Sequence, residues 1–113
     1  MKLNRVDVES IICALPLVTY GITETQEQSV RNAISCETAA NKLLSQSQNL
    51  TPDEYRVIYL AVGTALDIIE GVPIDYLSSF DLDPDWRSEL SRNFFVYNRL
   101  YPELDVLIGR LYK

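Results

Sequence analysis

Apolar residues recur at helical spacing along most of the chain, and no stretch sustains the alternation of a strand. The first helix is expected to begin after Asn4, whose side chain can cap it, with Val8, Ile11, Ile12 and Leu15 on one face. Pro16 lacks a backbone donor, so that helix ends or kinks there, and Gly21 marks a turn. A second helix is expected over residues 25–46, with Val30, Ala33, Ile34, Ala40, Leu43 and Leu44 as its apolar stripe. The polar run "SQSQN" then serves as a short linker.

The third helix has the fullest set of signals. In "LTPDEY", Thr51 is the N-cap, Pro52 takes the first helical position and Glu54 closes a capping box. Tyr55, Ile58, Tyr59, Val62, Ala65, Leu66 and Ile69 follow helical spacing, and Gly71 stops it. Val57, Leu60, Ala61 and Ile68 widen the apolar surface until only Asp53, Arg56, Gly63, Asp67 and Glu70 form a polar strip. A helix so apolar must be covered on most sides, which puts residues 51–70 at the centre.

"DPDW" repeats the chemistry of "TPDE": Asp83 can cap, Pro84 opens a helix and Asp85 adds negative charge to its first turn. That fourth helix carries Trp86, Leu90, Phe94, Tyr97 and Tyr101 inward. Pro102 then starts or kinks a last helix bearing Leu104, Leu107, Ile108 and Leu111. The fold expected is all-α, a single compact bundle of four to five helices spanning 1–113 as one domain.

An internal echo accompanies this pattern. Residues 3–15, "LNRVDVESIICAL", align without gaps on residues 50–62, "LTPDEYRVIYLAV", repeating Leu, a capping residue, an acid, Ile and Ala. Two helical hairpins related by duplication would explain this, although capping rules alone can produce the same likeness.

Charge changes the picture. The chain of 113 residues has net charge −6, and residues 51–86 contribute one basic and eight acidic groups, against five basic and three acidic in 87–113. An acidic chain repels phosphate backbones, so direct nucleic-acid binding is disfavoured. No run reaches the ~18 apolar residues of a membrane span, and the N-terminus lacks a signal-peptide pattern. Cys13 and Cys36 fall among apolar neighbours on helices, as buried free thiols would; this points to the cytoplasm.

There is no histidine, which excludes His-based nucleophilic machinery and imidazole metal sites, and no Gly-rich phosphate loop. Asp67 and Glu70 share a helix face, but such a pair is ordinarily solvated. Asp81, Asp83 and Asp85 resemble the start of a calcium loop, yet the sixth and twelfth positions hold Trp86 and Arg92 instead of Gly and Glu. The expectation is therefore no enzyme, no metal, no cofactor and no small-molecule substrate.

Two surfaces remain. The first combines Asp67, Glu70, Asp75, Asp81, Asp83 and Asp85 with Tyr76, Leu77 and Phe80, suited to a protein partner with a basic surface. The second lies on the fourth helix: at 100° per residue, Phe95 points away from the Trp86–Tyr97 stripe, among Ser88, Arg92 and Arg99. Phe95 is open to a foreign partner, to packing under the last helix, or to a second copy in a homodimer. The expected function is a non-catalytic interaction module, a small adaptor or inhibitor. Its sharper form is an acidic decoy of phage or mobile-element type that blocks a nucleic-acid-binding protein such as a host nuclease. A structural homo-oligomer built through Phe95 is the alternative.

Overall fold

The computed structural model describes residues 1–19, 25–71 and 84–112, which form six helical segments and no strand. These are α1 (Arg5–Ala14), α2 (Pro16–Thr19), α3 (Gln26–Leu44), α4 (Pro52–Glu70), α5 (Pro84–Arg92) and α6 (Phe94–Leu111). Because α2 is a single turn, five longer helices build the all-α bundle that the spacing predicts. The turn at Gly21 and the cap at Asp83 lie outside the described residues.

Helix starts follow the sequence closely. Asn4 Oδ1 accepts the Asp7 N–H at 2.9 Å and Asp7 Oδ2 accepts the Asn4 N–H at 3.1 Å. Thr51 and Glu54 form the same reciprocal box at the start of α4, with distances of 3.2 and 2.7 Å. Both acids are buried, and each meets a cation from another helix: Asp7 pairs with Arg99 of α6, Glu54 with Lys42 of α3. The echo of 3–15 in 50–62 thus extends to burial, since Ile11, Ala14, Ile58 and Ala61 are all fully enclosed.

Interruptions differ in kind. Leu15 keeps right-handed helical angles and its N–H still reaches Ile11 O, so Pro16 offsets α2 from α1 without a loop. Gly71 ends α4 at φ 78°, a left-handed conformation that costs a side-chain-bearing residue strain. Of the two outcomes expected at Pro102, a new helix start is wrong, because α6 continues through it. The break comes at Asn93 instead. Its Nδ2 donates to Glu89 O at 2.7 Å, and its N–H turns to Leu90 O at 3.1 Å. The side chain thereby displaces the backbone from its own i−4 carbonyl. Pro102 sits exposed, so the donor it lacks leaves no buried group unmet.

Helix α4 packs against all five other segments and is central, as its sequence requires. Val57, Ile58, Ala61, Val62 and Ala65 form the middle of a core closed by Ile11, Leu17, Leu43, Leu90, Tyr97, Leu100 and Leu104. Two details of α4 depart from expectation. Leu60 is exposed rather than covered. Gly63 belongs to the α6 contact instead of the polar strip, since a Cβ there would lie 3.0 Å from Tyr101 Cε2.

The larger correction concerns α3. Its buried residues are Asn32, Cys36, Ala39 and Leu43, whereas Val30, Ile34 and Leu44 are 51%, 56% and 69% exposed. Asn32 sets this rotation. Its Oδ1 accepts from Arg56 Nη2 of α4 and from Gln28 Nε2, each at 2.8 Å. Positions two residues either side of Asn32 point about 200° away on a helix, so Val30 and Ile34 turn outward. Cys36 then packs beside Leu15, to whose carbonyl its thiol points at 3.9 Å.

Candidate functional site

The outer surface of the α5–α6 corner depends on how its inner surface is tied to α1. Trp86 Nε1 donates to Cys13 O at 2.9 Å, and Ser10 Oγ donates to Asn93 Oδ1 at 2.8 Å. The Tyr97 hydroxyl donates to Ser10 O at 2.7 Å from a fully buried ring, and Arg99 reaches Asp7. Burial of that ring, with the nearby thiol and carboxylate, pushes the Tyr97 phenol well above its ordinary range. Residues at successive turns of α1 therefore hold α5 and α6 in fixed rotation.

This rotation turns Phe95 out. The residue is 81% exposed; Arg99 lies one turn on and is exposed, and Ser88 and Arg92 are exposed on α5, across the break at Asn93. Packing beneath the last helix is excluded, because residue 95 is itself in the first turn of that helix. Arg99 is not a free flank: one end of its guanidinium is committed to the buried Asp7 carboxylate. Arg92 makes no ion pair among the described residues.

The face extends further than the sequence suggests. Helical spacing from Phe95 leads through Arg99 and Pro102 to Val106 and Arg110, and all of these are exposed. Beside its far end lies a groove of about 640 Å³ lined by Met1, Lys2, Pro102, Glu103, Val106, Leu107 and Arg110. The signal for this extension was present in the i, i+4, i+7, i+11 spacing, but a helix boundary placed at Pro102 cut it in two.

The acidic surface is only partly described. Asp67 and Glu70 are exposed in the last turn of α4, where the helix carbonyls already carry partial negative charge and no basic residue compensates. Asp85 is exposed in the first turn of α5, where its charge is favourable. Asp75, Tyr76, Leu77, Phe80, Asp81 and Asp83 lie outside the described residues. No group of three or more His, Cys, Asp or Glu placed to hold a metal occurs among the described residues. None of their helices is long and apolar enough to cross a membrane.

Cys13 is half-buried and Cys36 buried, both as free thiols. Burial raises both above the ordinary cysteine range, and for Cys13 the Glu89 carboxylate adds to the rise while Tyr97 opposes it. Neither is poised as a nucleophile at neutral pH.

No protein family, curated protein or solved structure was found to match this chain.

Proposed function

We propose that the protein is a non-catalytic protein–protein interaction module whose main contact is the Phe95 face of α6. One observation carries this reading: a phenylalanine 81% exposed at the α5–α6 corner, which four side-chain contacts tie to α1. The exposed part of the Phe95 ring contributes little to folding beyond an edge contact with Phe94, and aromatic residues and arginine are enriched in binding hot spots. The two free thiols suit a reducing compartment such as the cytoplasm.

Site-specific photocrosslinking tests this. A photoreactive phenylalanine at position 95 should give a discrete covalent adduct in the source cells, and the same group at exposed Leu60 should not. A folded protein that yields no adduct from position 95 removes the reading.

A second reading draws on Asp67 and Glu70, two acids at a helix end that disfavours them. They support an acidic end that meets a basic partner, and in the sharper form an acidic decoy for the nucleic-acid groove of a host nuclease. Asp67→Asn with Glu70→Gln should then weaken partner binding and flatten its salt dependence. Unchanged binding at every salt concentration rules this out.

A further inference from the structure

We propose that the outer face of α6 docks an acidic amphipathic helix of another protein, a reading that rests on the Phe95 face being the contact. The face is a strip along one side of α6. Phe95 and Val106 stand eleven residues apart, about 16 Å along the axis, with Pro102 between them and Met1 beside the far end. Three turns of exposed helix with apolar residues at both ends match the i, i+4, i+7 anchors of a helix laid alongside.

The rim decides the chemistry. Lys2, Arg92 and Arg110 are exposed and make no ion pair among the described residues, and Arg99 has half its side chain in solvent. The exposed acids of α6 are Glu103 and Asp105, about 80° to either side of Phe95, and Asp105 is engaged by the Tyr59 hydroxyl. On a chain of net charge −6, residues 87–113 carry five basic and three acidic groups. At physiological salt, screening over about 8 Å leaves a docked helix sensing these cations more than the distant acids.

A second copy fits poorly. A two-fold interface would set Lys2, Arg92, Arg99 and Arg110 against the same cations of the partner, a juxtaposition that opposes pairing. A flat anionic bilayer would also meet the acids around the strip, whereas a single helix covers the strip itself.

The test is a displayed library of helix-forming peptides with randomised outer positions, selected on the wild-type protein and depleted on Phe95→Asp. Circular dichroism confirms that the variant is folded. Enriched sequences should carry net negative charge with apolar residues at helical spacing. Their dissociation constants should rise at least tenfold in Phe95→Ala, and again in Arg92→Glu with Arg110→Glu. Enrichment of Phe95-dependent peptides without acidic bias overturns the acidic partner but leaves the interaction surface standing. No Phe95-dependent peptide overturns both. A dimer dissociated by Phe95→Asp, or equal affinity for phosphatidylserine vesicles in wild type and for any selected peptide, transfers the face to a second copy or to a membrane and overturns the proposal.

Discussion

Arg99 on α6 donates to Asp7 on α1, and the carboxylate it meets is 1% exposed. Asp7 also accepts the Asn4 N–H, so one side chain both caps α1 and anchors α6 across the bundle. Removing the cation leaves a buried carboxylate with only its cap contact. Arg99→Ala is expected to cost about 2–4 kcal/mol, near the lower part of the range for a broken buried pair because Arg99 itself is half in solvent. Asp7→Asn keeps a capping group and a neutral partner, so its cost should be smaller. Urea unfolding of the two variants checks the order. Arg99 is accordingly a poor residue with which to probe binding, and Arg92 and Arg110 are better ones.

The second buried acid gives a pH dependence. Burial opposes ionisation of Glu54, but Lys42, the Thr51 N–H, and the Thr38 and Thr51 hydroxyls outweigh it and hold the carboxyl below its usual range. A group with a lowered folded-state value contributes stability that is complete above its unfolded value of about 4.3 and is lost as pH falls through the folded value. The stability gap between wild type and Glu54→Gln should therefore shrink as pH drops below about 4. A gap that stays constant down to acid unfolding contradicts this assignment.

The rotation of α3 makes opposite predictions for neighbouring residues. Ile34→Ser, at an exposed position, should change stability by no more than about 0.5 kcal/mol. Leu43→Ala, at an enclosed one, should cost about 2–4 kcal/mol. Asn32→Leu, although more apolar, should destabilise by about 1–3 kcal/mol, because Arg56 loses its acceptor in a half-buried place. Thermal melts of the three variants would show whether α3 packs through its polar seam.

What could be read from the chain followed from local rules. Asn4, Thr51, Pro52 and Gly71 act within one or two turns of themselves, so the starts of α1 and α4 and the end of α4 were legible. The position of α4 was legible because too few polar residues remained to face water. The facing of α3 was not, because it is set by a hydrogen bond between Asn32 and Arg56, 24 residues apart, against the hydrophobic pattern. The break at Asn93 was hidden for a related reason: its cause lies in a side chain that bonds Glu89 O and receives Ser10 from another helix. Of the candidate surface, the outward direction of Phe95 was legible from helical spacing. Its continuation to Val106 depended on whether Pro102 breaks the helix, which packing decides.

Gly63 offers a test of the α4–α6 contact that also has an optical signal. Tyr101 lies against it and stacks on Tyr59, with ring centres 5.1 Å apart, while the Tyr59 hydroxyl donates to Asp105 at 2.7 Å. Alanine at 63 gains about 1 kcal/mol in helix propensity, and the ring must yield a few tenths of an ångström, so the two effects should nearly cancel. Valine adds bulk that the Tyr101 ring can accommodate only by leaving the stack, and Gly63→Val should cost about 1–3 kcal/mol. The Tyr59 phenol is held well above its ordinary range by its hydrogen bonds to Tyr101 and Asp105. Displacing Tyr101 removes the first of these, so Gly63→Val should also bring the Tyr59 ionisation down, visible as an earlier phenolate absorbance in an alkaline titration. Loss of stability without that shift would mean the ring stayed in place and the strain was taken up by the helices.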